Sequence, residues 1–209
     1  MMDNPGYAEN AIRKIRAYEK NGILQGERLI LTYETSQTPI DMRAGEKWMK
    51  TIEIYGENYL EQYTKPREAC RGIVIRNDEI LLTYEVNTDQ WFIPGGGVEK
   101  DECIQECCVR ELAEETGCIV EIDKPYLSIN EHYDEWLFVS HYYVCNYVGE
   151  TERTLTEREI EVGLEPRWVS LKEAIDIFSK HQEYENDMKQ GAYLREYNAL
   201  LSYVESVEM

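Results

Sequence analysis

The stretch RELAEETG, Arg110–Gly117, places three carboxylates close together on a predicted helix. Glu111, Glu114 and Glu115 stand three and four residues apart, so an α-helix brings them into an arc of about 100°. Like charges at this spacing repel and weaken a helix by roughly a few tenths of a kcal/mol per pair. Carboxylates that share a site ionise together only when a cation joins them. A hard divalent cation, most commonly Mg²⁺ near phosphates, is the natural partner, so the stretch indicates a metal site.

The residues around this stretch predict how the helix is placed. We expect it to run from Asp101, as the N-terminal cap, to about Thr116, with Gly117 in the usual stop position. The helix can bury one side and hold the carboxylates at the edge of that side. A solvated acidic face, with a structural role only, is the alternative, because the chain is acidic throughout. The apolar stripe consists of Ile104, Cys108 and Leu112.

A longer pattern surrounds the acidic stretch. Gly96 is followed after five residues by Glu102, and seven further residues lead to Arg110–Gly117 and then to Cys118. This arrangement resembles the Nudix box, G-x5-E-x7-R-E-U-x-E-E-x-G-U, where U is a bulky aliphatic residue. Every charged and glycine position is filled. Cys118 at the final U is the one departure, and cysteine, as a small hydrophobe, changes packing more than chemistry. The resemblance extends more loosely over Ala69–Ser179.

The resemblance implies an α/β (α+β) fold in which a Nudix-type mixed β-sheet is sandwiched between α-helices. The local patterns agree, with a hairpin of ACRGIVIR and EILLTYE, a short strand QWFI and later strands and helices. We expect 1–66 to be a mostly helical, dimerising N-terminal extension, 67–179 to be the Nudix domain, and 180–209 to be a C-terminal helix packing on it. In the extension, the spacing of Trp48, Ile52, Tyr55 and Tyr59 favours a helix, whereas the alternation of Ile52 and Ile54 equally allows a strand.

The resemblance also implies a chemistry, the hydrolysis of a nucleoside diphosphate linked to another group. On this basis Glu111, Glu114 and Glu115 are expected to bind Mg²⁺ or Mn²⁺, with help from a backbone carbonyl of Gly95 or Gly96. Bound metal ions neutralise the phosphates, lower the pKa of a bound water and hold the leaving group.

Supporting and proton-transferring residues follow from the same resemblance. Arg110 presents a rigid fork that can hold a carboxylate bidentately, so we expect it to orient Glu111 or to pair with Glu102. Glu115 or Glu114 is a candidate base that takes the proton from water. A later loop, TLTEREIEVGLEP, offers further candidates, each with a solvated loop charge as its alternative: Glu157, Glu159 and Glu161.

Substrate recognition is less well specified by the sequence. A nucleotide base can stack on an aromatic ring, for which Trp91, Tyr133 and Tyr142 are candidates beside the alternative of a core or surface role. Arg67 and Arg71 open the first strand of the hairpin and could meet a phosphate, or could keep a strand edge soluble.

Composition bounds the remaining possibilities. The chain of 209 residues has a formal net charge of −19, which would repel a nucleic acid polymer. The sequence has no apolar run long enough to span a membrane, and its start is neither basic nor apolar as a secretory leader would be, so we expect a cytoplasmic protein. We also expect a small-molecule nucleotide as the substrate. The protein could form a homodimer. Its six cysteines are expected to be small buried residues, with a zinc site as the alternative. A non-catalytic, nucleotide-sensing module is the alternative function.

Overall fold

A seven-stranded mixed sheet with helices on both faces forms the core of the protein, as the sequence predicted. The computed structural model describes residues 50–56, 58–60 and 62–207, so the expected helical and dimerising segment before residue 50 lies outside the described residues. The elements in chain order are β1 (Lys50–Tyr55), β2 (Lys65–Arg76), β3 (Glu79–Glu85), β4 (Gln90–Phe92), α1 (Ile104–Thr116), β5 (Cys118–Tyr133), β6 (Trp136–Glu150), α2 (Glu157–Val162), β7 (Leu164–Ser170), α3 (Leu171–Phe178), a 3₁₀ turn (Ser179–Glu183) and α4 (Asp187–Val207).

The sheet has the strand order β1-β5-β6-β2-β3-β4, and β7 pairs with β3. The pairs β1–β5 and β2–β6 are parallel, and the other pairs are antiparallel. The predicted hairpin turns at Asn77-Asp78, where both residues have a positive φ. Asparagine and aspartate tolerate this conformation better than other non-glycine residues, which explains the tight turn.

Strand β1 corrects the helix predicted around residues 48–59. Ile52 and Ile54 are buried, 5% and 2% exposed, and point into the same core. Alternate burial requires a strand, and β1 pairs with β5 from Lys50 opposite Leu127 to Tyr55 opposite His132. The helical spacing of the aromatic residues was misleading, and the strand alternative was correct. The sheet thus includes residues that the sequence analysis assigned to the N-terminal extension.

Two clusters of buried residues hold the helices on opposite faces of the sheet. Helix α1 packs through Cys108 and Leu112 on one face. Helices α3 and α4 pack on the other face, through residues such as Phe178 and Leu200. Burial of a large apolar side chain contributes about 1.5–3 kcal/mol, so both faces support the fold. No helix in the described part of the chain is long and apolar enough to cross a membrane.

The sheet opens between β2 and β3, and a glycine-rich loop lies in the opening. The loop runs alongside β2, since Cys70 N–H donates to Gly96 O at 2.9 Å and Gly72 N–H donates to Pro94 O at 3.0 Å. Gly95 has φ +143°, and a Cβ there would come within 2.9 Å of Arg71 Cα. Only glycine fits this close approach. The loop is thereby fixed next to helix α1.

Five of the six cysteines are buried, as expected, and Cys103 is exposed. Cys70 Sγ lies 3.0 Å from Cys107 Sγ beneath the glycine-rich loop. Across the residues described, no group of three histidine, cysteine or acidic side chains is arranged to hold a metal ion. This gives the zinc alternative no support from geometry.

Candidate metal and active site

Helix α1 begins at Ile104, and its cap is Cys103 rather than the predicted Asp101. Cys103 Sγ accepts the Glu106 N–H at 3.5 Å, and Glu106 Oε2 accepts the Cys103 N–H at 2.9 Å. This reciprocal pair is a capping box. Asp101 has φ +68° and belongs to the turn before the helix, so it cannot serve as the cap. Gly117, with φ +73°, ends the helix as predicted.

Arg110 joins the acidic residues of the box. Its Nε and Nη2 donate to the two oxygens of Glu102 at 2.7 and 2.9 Å. Its Nη1 donates to Glu111 Oε1 at 2.8 Å and to Glu114 Oε2 at 3.0 Å. The hydrogen bonds from Arg110 lower the pKa of Glu102 to about 2. Both supporting contacts considered from the sequence therefore occur, because the guanidinium fork can serve several carboxylates at once.

Glu111 and Glu115 are the more buried members of the acidic set. Burial raises the pKa of Glu111. Burial also raises the pKa of Glu115 to about 8, although Gly95 N–H donates to its Oε2 at 2.9 Å. The Glu114 side chain is 39% exposed. The protein itself therefore compensates the negative charge at Glu111 and Glu115 incompletely.

This incomplete compensation fits a divalent cation. The oxygens of three carboxylates are hard donors, which Mg²⁺ and Mn²⁺ prefer. Arg110 Nη1 contacts both Glu111 and Glu114 and is the cationic group between them. The three carboxylates share one helix, yet across the described residues no three acidic, histidine or cysteine side chains are arranged around a common metal position. A bound ion would have to draw these oxygens together, and it would offset the burial that raises the pKa of Glu111 and Glu115.

Both carbonyls expected as additional ligands accept hydrogen bonds. Gly96 O accepts the Cys70 N–H at 2.9 Å, and Gly95 O accepts from Arg71 Nη1 at 3.2 Å. A carbonyl oxygen has two lone pairs, so each can accept a second partner. Gly96 also contacts helix α1, since a Cβ there would overlap the carboxylate of Glu111.

A cleft of about 840 Å³ lies over this region. Of the predicted site residues, those that line the cleft are Gly95, Gly96, Glu111, Glu115, Arg71 and Tyr133. Those outside the lining are Glu102, Arg110, Glu114 and Trp91. The structure therefore brings two box carboxylates to the cleft and keeps the Arg110–Glu102 pair behind them.

The aromatic candidates for base stacking differ in their exposure, and burial rules out Tyr142. Tyr142 is fully buried and donates its hydroxyl to Glu196 at 2.9 Å. Trp91 packs against Tyr84, with ring centroids 4.5 Å apart. Alternation along a strand, which the sequence could not orient, decides which ring faces the cleft. Tyr133 lines the cleft, and so do Phe92 and Phe138, which no pattern in the sequence indicated.

The acidic loop TLTEREIEVGLEP contains a short helix, α2, capped by the Thr156 side chain. Glu159 lines the cleft, and its charge contributes to the raised pKa of Glu115. Glu159 Oε2 also accepts the Thr156 N–H at 2.8 Å. Glu157 and Glu161 lie outside the lining. The six-residue helix escaped prediction because it buries no residue and so leaves no apolar pattern.

Helix α4 forms a wall of the cleft that the sequence did not predict. Lys189 and Arg195 line the cleft from this helix, and Arg67 lines it from strand β2. The sequence identified α4 by its apolar residues, and that pattern says nothing about which charged residues reach a cavity.

The fold and the Nudix box are matched by known proteins. The family model described as "NUDIX domain" matches residues 66–190. The chain belongs to this family, as the box predicted. Human diphosphoinositol polyphosphate phosphohydrolase NUDT4B is 30% identical over 135 residues, which cover 61% of this chain and 72% of that protein. The mRNA-decapping enzyme subunit 2 of Saccharomyces cerevisiae (strain YJM789) is 36% identical over 76 residues, covering 34% of this chain and 7% of that protein.

A solved structure supports the fold. The NUDIX hydrolase from Nitrosomonas europaea matches with a TM-score of 0.50 and 20% identity, covering 65% of this chain and 90% of that chain. The chain spans a third or less of the length of the first curated relatives it matches, 32% of a Caenorhabditis elegans protein and 7% of the yeast proteins.

Proposed function

We propose that this protein is a metal-dependent pyrophosphohydrolase that cleaves a nucleoside diphosphate linked to another group. The observation that carries the proposal is the complete acidic set on helix α1, two of whose members face the cleft. Burial raises the pKa of Glu115 to about 8, and a bound cation would offset the cost of ionising this carboxylate. Relatives named as phosphohydrolases and hydrolases support a reaction at phosphate.

The residues proposed to hold Mg²⁺ or Mn²⁺ are Glu111, Glu114 and Glu115, with a carbonyl of Gly95 or Gly96. When bound, the metal supplies charge neutralisation and an acidified water. Arg110 keeps Glu111 and Glu114 in place by hydrogen bonds at 2.8 and 3.0 Å. These hydrogen bonds keep both carboxylates at one point of the helix, from which their oxygens would turn to a bound ion.

Glu115 and Glu159 are the proposed acceptors for the proton of the attacking water. Glu115 lines the cleft, and the Gly95 N–H donates to its Oε2 at 2.9 Å. Glu159 reaches the same cleft from helix α2. Glu114 was the other candidate from the sequence, and its 39% exposed side chain lies outside the cleft lining. Its proposed role as a metal ligand rests on its position in the Nudix box.

We further propose a small-molecule nucleotide as the substrate, held by Arg71 and Tyr133 where they line the cleft. Trp91 lies outside the cleft lining, and its role in base stacking stays a prediction. The net charge of −19 disfavours a long RNA, even though one relative is named as an mRNA-decapping subunit. A cytoplasmic location and a homodimer stay predictions; sedimentation as a monomer at micromolar concentration would contradict the homodimer.

A hydrolysis screen with Mg²⁺ and Mn²⁺ tests the proposal. The panel contains nucleoside triphosphates, ADP-ribose, NADH, nucleotide sugars, dinucleoside polyphosphates and a diphosphoinositol polyphosphate. Release of phosphate or nucleotide is followed with and without EDTA. We expect metal-dependent turnover that disappears in the double variant Glu114→Gln, Glu115→Gln. Absence of turnover on the whole panel would contradict the proposal.

A nucleotide-sensing module without catalysis is the second candidate. It would bind a nucleotide tightly from the same panel and release no product. The presence of every box carboxylate favours the enzyme, because a module that only binds its ligand has no need of a metal-activated water. Calorimetric titration of the panel against the protein separates the two functions.

A further inference from the structure

Buried charged side chains form a cluster at the wall of the cleft, outside the Nudix box. Glu196 of helix α4 is 0% exposed and accepts hydrogen bonds from the Tyr142 hydroxyl at 2.9 Å and from Arg195 Nη2 at 2.6 Å. Glu196 Oε1 also lies 3.6 Å from Arg71 Nε on strand β2. Arg195 Nη1 donates to Glu131 Oε2 on β5 at 2.9 Å. The cluster therefore joins helix α4 to three strands of the sheet.

The charges in this cluster balance. Two carboxylates, Glu131 and Glu196, face two guanidinium groups, Arg71 and Arg195. A buried ion is costly unless a partner of opposite charge and hydrogen bonds compensate it. Removing the charge of Glu196 would leave the two arginines facing one carboxylate. Arg71, whose side chain is 14% exposed beside the cleft, is then the member most able to move.

Arg71 connects the cluster to the candidate active site. Its Nη1 donates to the carbonyls of Ile93 at 2.9 Å and of Gly95 at 3.2 Å. Gly95 in turn donates its N–H to Glu115 Oε2 at 2.9 Å. Continuous contacts therefore run from Glu196 through Arg71 and the peptide of Gly95 to Glu115.

We propose that Glu196 is a positioning residue for the hydrolytic reaction. It holds Arg71, and Arg71 holds the Gly95 peptide so that its N–H meets the carboxylate of Glu115. This role rests on the proposed function, because it matters only if Glu115 binds metal or accepts a proton. Helix α4 thereby takes part in ordering a site whose motif lies about 80 residues earlier in the chain, at Arg110–Gly117.

The test compares Glu196→Gln with Glu205→Gln. Glu205 lies on the same helix, and its 58% exposed side chain pairs with Lys50 at 3.3 Å. Mn²⁺ binding is measured by electron paramagnetic resonance of free Mn²⁺ without substrate, and kcat and KM are measured on the best substrate of the panel. Substitution of a residue that holds a metal ligand in place typically changes metal affinity or activity by about 10–100-fold. We expect Glu196→Gln to weaken Mn²⁺ binding and lower kcat by about tenfold or more.

Mn²⁺ binding measured without substrate separates positioning of the metal site from a direct effect on the substrate. Because Arg71 is itself a proposed substrate contact, its displacement in Glu196→Gln should also raise KM. A raised KM with unchanged Mn²⁺ binding and kcat would therefore overturn the positioning role. The Glu205→Gln variant should match the wild type in all three quantities. Normal Mn²⁺ binding and kcat in folded Glu196→Gln, even with a lower melting temperature, would overturn the proposal. A wild-type protein without Mn²⁺ binding or turnover would instead overturn the proposed function, and this role with it.

Arg71→Lys provides a second variant if Glu196→Gln does not fold. Lysine keeps the positive charge but lacks the planar guanidinium, so it cannot contact the carbonyls of Ile93 and Gly95 and the carboxylate of Glu196 at the same time. We expect the same loss of Mn²⁺ affinity and kcat. Where both variants fold, their combination should cost little more than either alone, because they break the same chain of contacts. Unchanged Mn²⁺ binding and kcat in Arg71→Lys would overturn the proposal.

Discussion

Replacing Glu115 by glutamine should make the metal-free protein more stable at neutral pH. Burial raises the pKa of Glu115 from 4.5 to about 8. The folded protein therefore holds this proton up to about pH 8, whereas the unfolded chain releases it near 4.5. Folding takes up a proton between these pH values, so the free energy of unfolding falls as the pH rises through this window. At about 1.36 kcal/mol per pH unit, the penalty reaches about 3 kcal/mol at pH 7.

Urea unfolding followed by circular dichroism between pH 5 and pH 8, with EDTA present, measures this penalty. Between pH 5 and pH 7 the wild type should lose about 2.5 kcal/mol relative to Glu115→Gln. The exposed Glu152 provides the matched control, since Glu152→Gln makes the same chemical change away from the cleft. Adding Mg²⁺ near pH 8 should stabilise the wild type and leave Glu115→Gln unchanged, because a bound cation replaces the proton.

Parallel pH curves for the wild type and Glu115→Gln, within about 0.5 kcal/mol, would refute this reasoning. They would mean that Glu115 is solvated in the folded protein. The uncompensated charge, on which the metal assignment partly rests, would then be absent.

Two further substitutions test the support of the acidic set. Gly96→Ala should lower the free energy of unfolding by about 1–3 kcal/mol, because its Cβ would overlap the Glu111 carboxylate. Gly97→Ala is the control, since its Cβ would meet nothing nearer than 3.6 Å. In the same urea titration it should change the free energy of unfolding by less than about 0.5 kcal/mol. Arg110→Lys should raise the half-saturating Mg²⁺ concentration about 10–100-fold, because lysine cannot hold Glu102 bidentately and also bind Glu111. An unchanged Mg²⁺ requirement would contradict the role given to Arg110.

Local patterns explain why the helix and the hairpin were predictable. Leu112 and Cys108 recur at helical spacing, Gly117 supplies the left-handed stop, and the hairpin has its turn at Asn77-Asp78. These features depend on residues close together in the chain. The metal-site hypothesis had the same advantage, since its carboxylates and Arg110 lie on one helix.

Features that depend on distant parts of the chain were predicted less well. Strand β1 is fixed by pairing with β5, about 77 residues away, from Lys50 opposite Leu127. Tyr142 and Tyr133 could not be ranked as base platforms, because strand orientation relative to the helices decides which ring meets the cleft. Glu196 gave no signal in a chain with 41 acidic residues. Its contacts depend on how helix α4 docks on the sheet.

The measurement that most directly tests the account is a Mn²⁺ titration by electron paramagnetic resonance, without substrate. It compares the wild type with the double variant Glu114→Gln, Glu115→Gln at pH 8, where the pKa of Glu115, about 8, allows the carboxylate to ionise readily. The account predicts saturable Mn²⁺ binding by the wild type and its loss in the variant. Equal Mn²⁺ binding by both folded proteins would show that the acidic set of helix α1 is not a metal site.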